Sequence, residues 1–156
     1  VANAVPEGDQ LDFKRDLYVK GEEFAADVVA FANTSGGAII VGVEEKEGVA
    51  AALAPVELSD ETNLRMQQWL ASYTTPHIDP KIRAVHSEDR QRGAYIVNVL
   101  RSSRDPHAVT KNEGLRYYRR SGSRNRILSE SEVADAYHAR FSRLRQREGR
   151  LEVITT

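Results

Sequence analysis

The stretch Ala30-Phe31-Ala32-Asn33-Thr34-Ser35-Gly36-Gly37-Ala38-Ile39-Ile40-Val41-Gly42-Val43 decides the fold, because its periodicity changes in the middle. Upstream, Phe24, Val28, Phe31 and Ala32 recur at helical spacing, and Glu22-Glu23 after Gly21 suit the positive end of a helix. Asn33 to Gly37 ends that helix, Asn and Gly supplying left-handed conformations that permit close entry to the next element; the competing role for this run is phosphate binding by loop amides. Ala38 to Val43 is a continuous apolar run rich in β-branched residues, the pattern of a strand covered on both faces and central to a sheet. It exits into Glu44-Glu45-Lys46-Glu47-Gly48, an exposed acidic turn.

Working outward, Leu11 to Asp16 alternates apolar and charged residues, which predicts a half-buried strand with Asp12 and Lys14 on one face. Ser59 or Asp60 can cap a second helix carrying Met66, Trp69, Leu70 and Tyr73, which Pro76 stops. Lys81 to His86 and Ala94 to Leu100 read as a hairpin, Asp105-Pro106 as a turn, and Leu115 to Arg120 as a further strand. Ser129 and Glu132 form a capping box for a last helix with Val133, Tyr137, Phe141 and Leu144 along one stripe. The order is β-α-β-α-β-β, then an extra strand and helix: an α+β sandwich with a mixed sheet. We expect one domain over 1–147 and a C-terminal tail over 148–156 that opens a linker to a further module. The chain starts at Val1 and stops soon after an Arg-rich helix, as a piece of a longer protein would.

Composition narrows the function classes. The 156 residues are 40% hydrophobic and 29% charged, enough for a real core, and the longest apolar stretch is far too short to cross a membrane, so a soluble, cytoplasmic protein is expected. With no cysteine, disulfides, thiolate catalysis and zinc fingers are excluded. No phosphate-binding G-x-x-x-x-G-K-[ST] is present, and Gly36-Gly37 follows a helix rather than opening one. His77, His86, His107 and His138 lack ligand spacing and read as surface or structural. The net charge of -1 hides an asymmetry. Residues 1–63 hold 13 acids against 4 Lys+Arg, whereas residues 115–147 hold 9 Arg against 3 acids. An acidic site and a polyanion-binding surface give this statistic, as do two solvated faces.

Two constellations could carry chemistry. Glu7, Asp12 and Glu44-Glu45 can converge near one end of the sheet if the first strand pairs beside the central one, with Lys14 beside them. Such oxygen clusters hold Mg²⁺ or Mn²⁺, and a lysine can position a phosphate, which is the chemistry of metal-dependent nucleases; ordinary surface ion pairs are the competing reading. No organic cofactor is expected. The second constellation is Arg116, Tyr117, Tyr118, Arg119, Arg120, Ser121, Gly122, Ser123, Arg124, Asn125 and Arg126. Guanidinium groups bind phosphate and tyrosines stack on unpaired bases, so Arg116, Tyr118, Arg119, Arg120, Ser121, Ser123, Arg124 and Arg126 are the candidate nucleic-acid contacts. Strand alternation sends Arg116, Tyr118 and Arg120 one way and Tyr117 and Arg119 the other, so a single basic outer face cannot absorb them all.

Together these strings resemble the Schlafen-type AlbA domain. Ala30 to Gly37 with Gly42-Val43-Glu44-Glu45 is similar to its helix-strand signature, and Glu7-x4-Asp12-Phe13-Lys14 to its E-x4-E-F-K element. Pro106 matches its proline after a strand, and Tyr118-Arg119-Arg120-Ser121-Gly122-Ser123 its Y-x-R-x-G-S segment. The resemblance spans roughly Glu7 to Tyr137. It implies a mixed-sheet domain of bacterial regulators and defence proteins, often followed by further modules, that contacts nucleic acid, RNA ahead of DNA. In some members it implies divalent-metal-dependent cleavage of structured RNA. Carried over, Glu7, Asp12 and Glu44 or Glu45 would be the metal ligands and Lys14 their neighbour. Asp12 and Glu44-Glu45 swap carboxylate lengths relative to that pattern. A two-lobed nuclease implies a homodimer for a single lobe. The alternative is a non-catalytic regulatory module that binds ATP, another nucleotide or a protein partner, with a pocket near Gly36-Gly37.

Overall fold

The computed structural model describes residues 6–155, with side chains described through 149. Residues 1–5 of the expected domain and Thr156 of the expected tail lie outside the described residues. The architecture is α+β. Strand β1 (Leu11–Lys14) runs parallel to β2 (Gly37–Val41), joined by the crossover helix α1 (Gly21–Ala32). On the other side of β2 lies β8 (Arg92–Val99), antiparallel, which also pairs with β7 (Lys81–His86) and the short β5 (Val56–Glu57). One parallel pair among antiparallel ones makes the sheet mixed, and β2 is central.

Helix α2 (Asp60–Tyr73) packs with α1 over this sheet. Phe24, Val28, Phe31, Ile39, Val41, Met66, Leu70 and Val97 close the core between the layers. Strand β8 alternates strictly, with Tyr95, Val97 and Val99 inward, as period 2 requires of a strand with one buried face. The Tyr95 hydroxyl accepts from Ser59 N (2.9 Å) and donates to Ser59 O (3.1 Å). Ser59 is the cap of α2, its side chain accepting from Thr62 N (3.1 Å), so one core tyrosine fixes where that helix starts.

Three expectations about the central strand and its exit are corrected. The apolar run does not continue to Val43, because Gly42 (φ 111°) breaks it; β3 (Val43–Lys46) leaves the sheet and pairs with β4 (Val49–Leu53). The acidic turn is therefore mostly strand, and the reversal is Glu47-Gly48, both at positive φ, as a two-residue hairpin needs. Only one face of β2 is closed: Ile39 and Val41 are buried, whereas Ala38 and Ile40 are half-buried.

The predicted strand over Leu115–Arg120 is interrupted at Tyr117. Strand β10 (Gly114–Arg116) pairs with β9 (Ala108–Lys111), which also pairs with the two-residue β6 (Thr74–Thr75). Strand β11 (Tyr118–Ser121) forms a separate hairpin with β12 (Arg124–Ile127). The capping box is as read: Glu132 N donates to Ser129 Oγ (3.3 Å) and Ser129 N to Glu132 Oε1 (3.0 Å). It opens α3 (Glu130–Thr155), which continues as helix through residue 148, where the tail was expected to begin. Among the described residues, no helix is long and apolar enough to cross a membrane.

Gly21 opens α1 because no side chain fits there. A Cβ at this position would stand 2.6 Å from Trp69 Cγ and 2.7 Å from Tyr73 Cε2, both on α2. Gly21→Val is therefore expected to cost about 1–3 kcal/mol by overpacking, more than the few tenths gained in helix propensity. Urea denaturation read by the single tryptophan measures this; unchanged stability would contradict the packing.

Candidate functional site

The acids read early in the chain and the arginines read late do meet, but inside the protein. Strand β11 lies against α1, and its alternation turns Arg120 inward, where it is 3% exposed. Its Nη2 lies 3.1 Å from Oδ1 of Asp12, itself 4% exposed on β1. Nε donates to Gly8 O (3.2 Å), Nη1 to Asn125 Oδ1 (3.2 Å), and the guanidinium sits 4.8 Å from the centre of the Phe31 ring. Arg120 is thus fully occupied, and its expected role as a nucleic-acid contact is replaced by a structural one.

The same network runs on through a residue that the sequence reading missed. Asp27 of α1 accepts from Asn125 Nδ2 (2.7 Å) and from the Tyr18 hydroxyl (2.5 Å), and Lys14 Nζ lies 3.7 Å away. The missed signal was position: Asp27 falls on the apolar stripe of α1, between Phe24 and Val28. Burial holds its pKa above the ordinary carboxylate range, against the pull of Lys14 and Tyr18. Burial also depresses Lys14, but Asp27 and Asp12 outweigh it and leave the ammonium raised overall.

Glu7 is the third member near Asp12. Its Oε1 accepts from Phe13 N (2.8 Å), and its amide donates to Gly48 O (2.7 Å), which brings it beside the β3–β4 hairpin. Burial raises its pKa, opposed by the Phe13 hydrogen bond and reinforced by Asp12 and Glu45. Glu45 is exposed and turned to the Gly48 amide (2.7 Å), and Glu44 is exposed on β3.

Whether this set suits Mg²⁺ or Mn²⁺ can be tested on the geometry. Asp12 Oδ2 is buried and accepts no hydrogen bond, as a metal ligand would be, yet Lys14 Nζ stands 3.0 Å from it, bound by charge rather than by hydrogen-bond alignment. Two cations already neutralise Asp12. Among the described residues no three carboxylate or imidazole side chains gather closely enough for one ion. The expected cluster of Glu7, Asp12, Glu44 and Glu45 therefore does not fit a single hard cation, which needs several oxygens at 2.0–2.6 Å.

The exposed remainder of the arginine segment forms a second surface. In the β11–β12 ladder Arg119 stands directly opposite Arg126, and Ser121 opposite Arg124. Arg126 grips Glu132 with both Nη atoms (2.8 Å each), and Arg119 reaches the same carboxylate at 3.8 Å. The Arg126 hydrogen bonds, with that from the Ser129 amide, pull Glu132 well below the usual carboxylate range. Arg116, Ser121, Ser123 and Arg124 are exposed. The tyrosines are not free: Tyr118 packs on the core, and the Tyr117 hydroxyl is 2.6 Å from that of Tyr137; burial, reinforced by that contact, raises the Tyr117 pKa to about 12.

Asn33-Thr34 proves structural, though not by left-handed backbone, since Asn33 is right-handed (φ -82°). Asn33 Nδ2 donates to His107 O (2.9 Å) and Tyr118 O (2.8 Å), its Oδ1 accepts from His107 N (2.8 Å), and Thr34 Oγ1 accepts from Arg120 N (2.8 Å). Gly36 does need its positive φ (71°), and a Cβ there would press on Val99 O. Its amide is spent on Phe31 O (2.8 Å) rather than left for a phosphate. His107 is buried between Pro76 O and Ser102 Oγ, and burial lowers its pKa. Beside Gly36-Gly37 lies an open groove of about 1010 Å³, with Lys81, Arg101 and Arg104 in its wall.

Arg120→Met is expected to cost about 3 kcal/mol, because Asp12 Oδ1 loses its buried donor while Lys14 remains as its one cation. Adding Asp12→Asn is expected to recover much of that loss in urea denaturation. A double variant no more stable than the single one would mean the pair is not what holds the two strands.

Comparison with known proteins agrees with this fold. The solved structure of the DIP2311 protein of Corynebacterium diphtheriae matches with TM-score 0.54 and 22% identity over 80% of this chain and 26% of that one. This chain thus spans about a quarter of that protein's length. The N-terminal domain of a DNA helicase RecG-related protein of Nitrosomonas europaea matches with TM-score 0.56 and 20% identity, over 81% of this chain and 88% of that domain. No curated protein matches in sequence. The family model for Schlafen, AlbA_2 matches residues 7–129, from Glu7 at the acidic cluster to the Ser129 cap, and on that match the chain belongs to the Schlafen AlbA_2 family.

Proposed function

We propose that this domain binds a nucleic-acid backbone through the exposed face of the β11–β12 hairpin and works as a binding module rather than a nuclease. The observation that carries the reading is the facing pair Arg119 and Arg126 sharing the single carboxylate of Glu132. Like charges directly opposite on a ladder destabilise it, and one carboxylate leaves the pair with a net positive charge. A phosphate completes the balance, and Arg116 and Arg124 extend the basic face on either side. Phosphate contacts do not distinguish sugars; the order RNA before DNA rests on the family. The DNA-helicase-related name of one structural neighbour supports nucleic-acid contact but not that order.

A fall in affinity with salt tests the contact. Each phosphate neutralised contributes about 0.7–0.9 to the log-log slope, so Arg119→Glu with Arg126→Glu is expected to lower the slope by about 2. A wild-type affinity that ignores salt would sink the proposal. The cleavage question is separate. With folded RNA and Mn²⁺, wild type is expected to cut no faster than Glu7→Gln. That substitution keeps the acceptor for Phe13 N and removes a charge whose raised folded-state pKa makes ionisation cost stability as pH climbs through it. Cutting that Glu7→Gln abolishes would restore the nuclease reading.

The groove beside Gly36-Gly37 favours one second reading, a nucleotide held by Lys81, Arg101 and Arg104. Its volume suits such a ligand. Thermal stabilisation by ATP but not by RNA would select it.

A further inference from the structure

The helix that follows the family match carries its own basic surface. Arg140, Arg143 and Arg147 recur along one stripe of α3, which rests on the Ser102–Asp105 segment. Arg140 Nη1 donates to Arg104 O (3.2 Å), and Arg143 Nη2 to Asp105 Oδ1 (2.9 Å) and Ser103 O (3.2 Å). The seam is not closed. Between helix and loop lies a groove of about 460 Å³, lined by Pro76, Phe141 and Leu144 and edged by Arg104, Arg143 and Arg147. Through Ser103 and Arg104, which border both, it adjoins the larger groove that Arg101 and Lys81 line. At the other end of the helix, Glu132 is the residue on which Arg119 and Arg126 converge. Glu132 and Arg147 are 15 residues apart, about 22 Å of helix.

Nine residues beyond Glu132, and about half a turn around the helix axis from it, an aromatic ring is left open. Phe141 is 52% exposed, its ring stacks on Tyr137 (centroids 6.4 Å, 24° between planes), and the Arg140 guanidinium lies 4.8 Å from Tyr137 and 5.7 Å from Phe141. A half-exposed ring among arginines is satisfied by a ligand that offers a flat apolar face and an anion every few ångströms. An unpaired nucleic-acid strand does both at once, its bases stacking and its phosphates pairing with guanidinium groups. A duplex hides its bases, and an acidic peptide lacks the flat faces.

We propose that the surface from the β11–β12 hairpin along α3 to Arg104 is a track for an unpaired nucleic-acid strand, with Phe141 as its stacking platform. This rests on the nucleic-acid reading above, but it carries the strand from the hairpin onto Phe141 and Arg147, which lie beyond the family match over residues 7–129. Fluorescence anisotropy on the full chain tests it, with a labelled 20-nucleotide unstructured oligonucleotide and the same sequence as a duplex. Wild type is expected to bind the single strand more tightly. Phe141→Ala is expected to weaken single-strand binding about 5-fold or more and leave duplex binding unchanged, while Phe141→Trp retains it. Arg104→Ala with Arg147→Ala is expected to lower the salt slope by about 2. Loss of binding in Arg119→Glu/Arg126→Glu with wild-type affinity in Phe141→Ala and Arg104→Ala/Arg147→Ala would overturn the track and leave the hairpin contact standing. A wild type that binds neither probe would remove both. Displacement of the oligonucleotide by polyglutamate as readily as by unlabelled oligonucleotide would assign the surface to an acidic protein and overturn the proposal.

Discussion

The buried ion pair between Asp12 and Arg120 joins residues 108 positions apart, and the rest of the structure is arranged around keeping it satisfied. A charge removed from water costs several kcal/mol unless its partner and its remaining hydrogen bonds are in place. Here they are supplied from both ends of the chain: Gly8 and Lys14 from the first strand region, Phe31 from α1, and Asn125, itself held by Asp27, from β12. Such a network fixes how the β11–β12 hairpin sits on α1, because no other placement would match the charges. It also separates the arginine segment into an inward residue that holds the fold and outward residues that remain available.

That separation explains why Asp12 and Arg120 meet inside the protein rather than on an open face. Carboxylates that bind a hard cation must be left short of positive charge. Asp12 is instead closed in by Lys14 and Arg120, and Glu45 turns to a backbone amide of its own hairpin. What the late arginines retain is an outer face on which Arg119 and Arg126 meet Glu132, a residue of the first turn of α3, while Asp9 holds the Gly122 amide at the turn of the hairpin. The hairpin and the last helix are therefore electrostatically one surface.

Much of this was legible in the sequence, and the failures have physical causes. The change of period at Asn33–Gly37 located α1 and the central strand, and the Ser129–Glu132 box located the start of α3, since both depend on local chemistry. Strands β5 and β6 are two residues long and carry no period to read, and Val49 to Leu53 is alanine-rich, a weak strand former. Although the strand breaks at Tyr117 and leaves Arg116 exposed, the alternation argument rightly kept the arginines from all sharing one outer face: Arg120 turns inward. Alternation could not say which acid would meet it, because that pairing is set by sheet topology. Asp27 shows the same limit: a carboxylate on an apolar stripe signals a buried partner, and only the fold reveals that three residues share it.

Asn33 carries an implication of a different kind. Its carboxamide stitches β9 to β11 with two donated hydrogen bonds and one accepted, an orientation that its three partners dictate. Loss of ammonia from that side chain over the protein's lifetime would put an anionic oxygen against the carbonyls of His107 and Tyr118, turning two attractions into repulsions at a single stroke. Such a loss would loosen the seam between the first helix and the basic hairpin.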